Sequence, residues 1–363
     1  MKGFAPEDYV DARGAVRTSR YTQFAVAAAR LAVADGRLDL SAEDRERCGV
    51  IVGSGFGGLV AADSEYPILQ EQGPRRVSPM LIPMVLGNIA PGEIAIRLGL
   101  EGVNYAVSSA CASSNHAVGL ALRHLRHGDA DVVLAGGAEA GISPLLVASF
   151  CQSRTLAANY NDEPERASRP FDADRCGFVI GEGAAVVLLE TLDHARSRGA
   201  RVYAELCGFG ATDDAHHVTA PRPDGRGLAR AIARALDDAG ARPEEVDYVN
   251  AHGTSTALND KAETLAIKTA FGGHAKNLAV SSTKSMIGHL LGAAGGAELV
   301  ATVLCMEHDT VHPTINYETP DPDCDLDYVP GEARGMEIRC AVSNSSGFGG
   351  QNSVLVLRRC GAA

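Results

Sequence analysis

Apolar runs along this chain stop abruptly at small residues. Val50-Ile-Val52 ends at Gly53-Ser-Gly55, and Asp131-Val-Val-Leu-Ala135 ends at Gly136-Gly137. The stretches 184–189, 246–249, 278–280, 340–342 and 354–357 share this apolar character. Runs without polar alternation predict strands buried on both faces. Between them the period changes to that of a helix. Leu228, Ile232 and Leu236 recur on one face of 227–239, which predicts an amphipathic helix. Further helices are expected over 112–126 and 290–304. Strands alternating with helices predict an α/β protein with layered sheets. The polar stretch 159–169 reads as an exposed loop, and the proline- and aspartate-rich stretch 313–330 as irregular surface chain.

An internal repeat sharpens this picture. Ala106-Val-Ser-Ser-Ala-Cys111 matches Ala279-Val-Ser-Ser-Thr-Lys284, and each is followed by a helical stretch rich in Leu, Ala and Gly. Two similar halves packed face to face would bring Cys111 and the 284–289 segment to a common centre. Composition narrows the function. A net charge of −12 gives no electrostatic support for binding nucleic acid. No run of 18 apolar residues predicts a membrane span, and the N-terminus lacks an apolar secretory segment. Nine cysteines, none in a Cys-x-x-Cys pair, argue for reduced thiols in a cytosol rather than a disulfide frame or zinc site.

Three segments carry candidate chemistry. Cys111 follows a strand and opens a helix, where the dipole and free N–H groups favour a thiolate; the alternative is a buried structural cysteine. His252 precedes Gly253-Thr254-Ser-Thr256, a loop that a ligand can approach, or it is a hydrogen-bonded structural residue. His289 lies near the start of the 290–304 helix, where protonation is disfavoured and a neutral donor tautomer is expected. Lys284 stands among Ser281, Ser282 and Ser285 and needs an anionic partner. Glu298, on a Gly- and Ala-lined helix face, is one candidate; a solvent-facing glutamate is the alternative. Gly347-Phe348-Gly349-Gly350 is a turn able to present N–H groups to an anion. No phosphate-loop or dinucleotide fingerprint occurs.

Taken together, Asn250-Ala-His-Gly-Thr-Ser-Thr256, Ser282-Thr-Lys-Ser285 and Gly288-His-Leu-Leu-Gly-Ala-Ala-Gly295 resemble the β-ketoacyl-[acyl-carrier-protein] synthases, in particular the elongating type II condensing enzymes of fatty-acid synthesis. The similarity covers essentially the whole chain. It implies a thiolase fold, with duplicated halves, 1–198 and 199–363, in a five-layer α-β-α-β-α stack. It implies a ping-pong decarboxylative condensation in which Cys111 takes the acyl group from carrier-bound phosphopantetheine. His252 and His289 would stabilise the enolate left by malonyl decarboxylation. The N–H groups of Cys111 and Phe348 would form the oxyanion hole, with Phe348 also a gate beside the thiol. Lys284 would hold the His and Glu298 network in charge balance, and Thr254 and Thr256 would contact the pantetheine arm. Neither a metal nor a resident cofactor is implied, because phosphopantetheine arrives on the acyl carrier protein. That protein would dock on Arg13, Arg17, Arg75, Arg76 and Arg154 of a cytoplasmic homodimer.

Three departures from the family pattern matter. The family's opening strand, glycine turn and helix have no counterpart before Met1, so a central strand of the first half is expected to be absent. Ser346 replaces the usual aromatic two residues before Phe348. Phe56 stands where a smaller apolar residue is usual, at the inner end of the acyl tunnel. The readings left open are a type II polyketide or other specialised ketosynthase, and a truncated, non-catalytic partner that dimerises or docks a carrier protein. A thiolase would need a second cysteine motif that Cys340 and Cys360 do not supply.

Overall fold

The computed structural model describes residues 1–361. Four strands build a first sheet: β1 (Cys48–Gly53), β2 (Asn104–Val107), β3 (Val132–Glu139) and β4 (Gly183–Glu190). Its order is β2-β1-β3-β4, with β1 parallel to both neighbours and β4 antiparallel to β3. Then follow β5 (Glu205–Asp213), β6 (Tyr248–Asn250), β7 (Ala279–Ser281), a small antiparallel ladder of β8 (Thr310–Val311) with β9 (Arg334–Gly335), β10 (Cys340–Ser346) and β11 (Gln351–Arg358). The second sheet runs β5-β11-β10-β6-β7.

The duplication predicted from the repeat is visible strand by strand. In β7-β6-β10-β11 the parallel and antiparallel pairings repeat those of β2-β1-β3-β4. The matching hexapeptides leave β2 and β7, the equivalent strands. The additional strand β5 lies at the outer edge, antiparallel to β11. This corrects the expectation of an absent central strand, since β1 and β3 occupy the centre of the first sheet. The position without a counterpart is the edge beyond β4.

Side-chain alternation sorts each strand between two cores. Val50, Val52, Val132 and Leu134 pack against the helices Arg20–Asp35 and Ile89–Leu98. Their neighbours Ile51, Val133 and Ala135 face the opposite way. There they meet Ala117, Ala121, Leu299 and Met306 of the helices Ser113–His127 and Ala294–His308, and beyond these Tyr248, Ala341, Leu355 and Leu357 of the second sheet. Val249, Val342, Val354 and Val356 face outward onto the helices Arg226–Ala239 and Ala257–Phe271. The result is helix, sheet, helix, sheet, helix, the five-layer thiolase arrangement. Both faces of β1 and β3 are covered, which is why these strands read as unbroken apolar runs. The edge strand β4 is only half-buried along most of its length.

Three expectations change. Residues 159–169 form a loop, but its end turns inward. Arg169 is 1 % exposed and bonds Asp172 at 2.9 Å and Glu318 at 3.1 Å, so its charge is paired rather than solvated. The stretch 313–330 is irregular yet buries Thr314, Cys324, Leu326, Tyr328 and Val329. The expected helix 290–304 begins later. Leu291–Ala293 is a 3₁₀ turn and the α-helix spans Ala294–His308, because Leu291 has φ 52° and breaks the helical path.

Candidate active site

The ends of the parallel strands aim their following loops at one place. After β2 the chain turns through Ala110, at φ 47°, and Cys111 precedes the helix Ser113–His127. Ser113 holds this turn: its Oγ donates to the Ala110 carbonyl at 2.6 Å and accepts the Ser109 N–H at 2.9 Å. His252 follows β6. Lys284 follows β7, with His289 five residues on. Ala110, Ser255 and Leu291 are all non-glycine residues in left-handed backbone, strain that persists only where the surroundings impose it.

These loops line a cavity of about 380 Å³ containing Cys111, His252, His289, Thr254, Thr256, Phe56, Ser346 and Phe348. Gly347 fits the second oxyanion candidate against the first. A Cβ there would lie 2.5 Å from the Ser109 carbonyl oxygen and 3.3 Å from the Cys111 nitrogen, so only glycine permits the approach. The exposed Phe348 sits at the mouth.

His252 and His289 are buried, their rings 5.4 Å apart at 84°. Burial first, then the Lys284 charge, holds both imidazoles well below their ordinary pKa. They are neutral. His289 Nδ1 accepts the Leu291 N–H at 3.2 Å, and His252 Nδ1 faces the Lys284 ammonium at 3.3 Å. With Nδ1 accepting in both rings, the hydrogen-bond pattern assigns each proton to Nε2. For His289 the causes of the neutral state and of this tautomer are burial, the Lys284 charge and one backbone N–H rather than a helix start.

Lys284 pairs with Glu298, each side chain 2 % exposed. Burial pushes the Glu298 carboxyl up and Lys284 opposes it. Asn250 braces this pair by donating to the Thr283 hydroxyl at 3.0 Å and the Glu298 carbonyl at 3.2 Å. The Cys111 thiol departs from expectation. Burial pushes it up to about 12, with Lys284 opposing. A helix terminus supplies at most about 2 kcal/mol, roughly 1.5 pH units, so the thiol rests protonated.

The remaining predicted residues fall as follows. Thr254 and Thr256 share a hydroxyl–hydroxyl bond of 2.8 Å on the cavity wall. Ser346 donates to Asn352 at 2.7 Å, and Asn352 to Asp214 at 2.8 Å. Phe56 begins a line of edge-to-face rings: 6.1 Å to Phe150, 5.4 Å on to Phe178 and 5.3 Å on to His289. Arg13, Arg17, Arg75, Arg76 and Arg154 are exposed. Arg13 and Arg17 share one face of the helix Ala12–Arg17, Arg75 and Arg76 share the turn Pro74–Arg76, and Arg154 immediately precedes Thr155 of the cavity lining.

Comparison with known proteins shows the family. Residues 5–195 match the model for the beta-ketoacyl synthase N-terminal domain, and residues 203–318 that for the C-terminal domain. The chain belongs to the beta-ketoacyl synthase family. It is 50 % identical over 359 residues to the 3-oxoacyl-[acyl-carrier-protein] synthase 2 of Synechocystis sp., covering 99 % of this chain and 86 % of that one. Identity to the Staphylococcus aureus protein of the same name is 48 % over the same shares. Among solved structures, a type II polyketide ketosynthase bound to a hexaketide, in complex with its acyl-carrier protein, superposes with TM-score 0.92 at 38 % identity, over 95 % of this chain and 86 % of that one. A beta-ketoacyl synthase from Burkholderia phymatum gives 0.91 at 37 %, over 99 % and 87 %.

Two buried acids of this family member lay outside the sequence reading. Glu263 accepts the His252 and Gly253 N–H groups, both at 2.8 Å, and Asn344 Nδ2 at 3.2 Å. Burial raises its pKa against those bonds. Its sequence signal was an acid in register with the apolar Ala266, Ile267 and Phe271 of one helix. Glu139 ends the apolar β3, an acid where a buried strand should stop at small residues. Among the described residues no helix is long and apolar enough to cross a membrane.

Proposed function

We propose that this chain is a 3-oxoacyl-[acyl-carrier-protein] synthase of fatty-acid elongation. The observation that carries the reading is two buried, neutral imidazoles presenting Nε2–H groups to one cavity with a thiol at a strand-to-helix turn. Neutral donors aimed at one point stabilise a developing enolate oxygen without first having to be reorganised.

In the first half-reaction the Cys111 sulfur bonds to the acyl carbonyl carbon. The carrier's thioester C–S bond breaks, and the departing pantetheine sulfur takes up the proton that Cys111 loses. The tetrahedral oxygen is held by the Cys111 and Phe348 amides. Malonyl carrier protein then enters, with Thr254 and Thr256 along the pantetheine arm. Its carboxylate leaves as carbon dioxide, and the electron pair stays as an enolate held by His252 and His289. The carbanion attacks the carbonyl carbon of the Cys111 thioester, the C–S bond breaks with its electron pair on sulfur, and the thiolate takes one proton from solvent. Lys284 and Glu298 hold His252 in its donor tautomer.

The division into thiolase-like halves, 1–198 and 199–363, belongs to the same proposal. So do a cytoplasmic setting, phosphopantetheine arriving only on the carrier protein, and docking on Arg13, Arg17, Arg75, Arg76 and Arg154. A homodimer is supported by the helices Leu59–Gln72 and Leu81–Val85, which bury no residue and expose Tyr66 and Ile82. The polyketide reading uses the same chemistry and finds support in the small Ser346. The higher identity to the two 3-oxoacyl synthases favours elongation. Cys111→Ala tests the proposal: condensation is abolished and no acyl adduct forms. Acyl adducts persisting on that variant would remove the assignment.

A further inference from the structure

The carboxylate of Glu139 is fully buried at the end of β3 and takes no step in the reaction above. It accepts four hydrogen bonds from neutral groups. Oε1 receives the Ser54 hydroxyl at 2.9 Å and the Phe56 N–H at 3.2 Å. Oε2 receives the Gly55 N–H at 2.6 Å and the Gly292 N–H at 3.0 Å. Three donors come from the loop after β1 that carries Phe56. The fourth comes from the other half of the chain, one residue after Leu291, whose N–H fixes His289.

The two loops touch where they share this carboxylate. A Cβ on Gly292 would lie 2.3 Å from the Gly55 nitrogen and 2.6 Å from Glu139 Oε2. The side chains of Phe56 and Leu291 both close over Gly141, lying 3.7 and 3.1 Å from where its Cβ would be. Four donors converging on two oxygens require an acceptor-only group. A glutamine amide would set its NH₂ against a backbone N–H in either orientation.

We propose that Glu139 is a positioning residue that clamps the acyl-pocket wall at Phe56 to the turn carrying His289, so that chain-length selection and enolate stabilisation depend on one carboxylate. The role in selection rests on the synthase reading; the clamp itself does not. In the ketosynthase reaction Glu139 touches neither thiol nor substrate. It acts through Phe56 on one side and through Leu291 and His289 on the other.

The test uses the full-length enzyme and Glu139→Gln, with two readouts. Hydrogen exchange read by mass spectrometry should show Gly55–Phe56 and Leu291–Gly292 losing protection together, by about 10- to 100-fold, the range set by losing a hydrogen bond to a charged acceptor, while β6 and β10 stay protected. Intact-mass kinetics with acyl carrier proteins of C4 to C16 should show the ratio of long-chain to short-chain acylation of Cys111 rising about 10-fold. In a Phe56→Ala background the same Glu139→Gln change should move that ratio less than about 2-fold, because residues acting through one another are not additive. A purely structural role predicts loss of protection across both sheets and equal slowing at every chain length; either result overturns the proposal. So does an unchanged exchange pattern, or an effect on the ratio that persists without Phe56. If the wild type is acylated by no carrier-bound chain, the synthase reading fails instead, and the exchange measurement still decides the clamp.

Discussion

Breaking the Lys284–Glu298 pair should cost more than removing it. Both side chains are 2 % exposed, and the other contact of the ammonium is the neutral His252 Nδ1 at 3.3 Å. In Glu298→Gln the ammonium keeps only neutral partners. In Lys284→Met the carboxylate loses its cation while Glu298 Oε2 already lacks a partner among the described residues. Leaving one member of a buried pair alone costs about 3–5 kcal/mol. Unfolding entropy of about 2.1 cal/mol/K per residue gives roughly 0.76 kcal/mol/K for 363 residues, so each single variant should melt about 4–7 °C lower. The double variant Lys284→Met/Glu298→Gln buries no charge and should recover at least 2 kcal/mol relative to the sum, using the same rule that an unpaired charge is the costly species. The helix itself is not at risk, since Asn250 and Thr302 bond the Glu298 backbone carbonyl, at 3.2 and 2.7 Å, whatever its side chain. Thermal unfolding of the four proteins, followed by circular dichroism at one pH, measures the cycle. Strict additivity, within about 0.5 kcal/mol, would refute the picture of a charge-balanced pair.

Three further outcomes follow from the same geometry. Phe56→Ala should shift acylation of Cys111 toward longer chains, each newly buried methylene adding about 0.8 kcal/mol, roughly fourfold in rate or affinity; a wild type that already accepts C14 and C16 as readily as C6 sinks the idea that Phe56 ends the tunnel. Burial pushes the Asp260 carboxyl from 3.8 up to about 6, with Arg175 opposing. The folded state therefore holds this proton more tightly than the unfolded chain, and the stability it contributes below pH 3.8 is lost as pH rises through 6. Relative to Asp260→Asn, wild-type stability should fall by about 3 kcal/mol across that window, read from urea midpoints at each pH; a difference that is flat or grows with pH contradicts the assignment. Charge reversal at Arg75 and Arg76 should raise KM for carrier-bound substrate and leave it unchanged for a pantetheine mimic, because the field that steers an acidic partner is local; equal KM values for both variants and wild type would remove the docking patch.

Much of this fold was legible because its strands are covered on both faces. The apolar runs at 50–52 and 131–135 marked β1 and β3, and the hexapeptide repeat marked β2 and β7 as equivalent. The edge strand β4 read the same way although it is only half-buried, since an apolar run does not report what covers it. Cys111, His252 and Lys284 stood out because each lies just past the end of a strand, and His289 because it stands near the start of the following helical stretch. Glu263 did not, because an acid on a helix face gives no sign that it turns back to bond the N–H groups of the preceding loop, and Glu139 did not, because its partners lie in loops 83 to 153 residues away. The inward turn of Arg169 was hidden for a similar reason: Glu318 lies 149 residues on, and local polarity says nothing of such a partner. The protonated state of the Cys111 thiol depends on the depth of its cavity, which a helix start cannot convey.

The central claim is that Cys111 carries the acyl group and that the two neutral imidazoles serve the malonyl unit. It is tested most directly by loading the enzyme with an acyl carrier protein, then adding carboxyl-labelled malonyl carrier protein while following intact protein mass and released carbon dioxide. The account predicts an acyl adduct on Cys111 alone, discharged with one carbon dioxide per 3-oxoacyl product. In His252→Ala and His289→Ala the adduct should still form while carbon dioxide release slows by about 10²–10⁴-fold, the range for a positioned catalytic group. An adduct on another residue, discharge without carbon dioxide, or equal slowing of both half-reactions would contradict it.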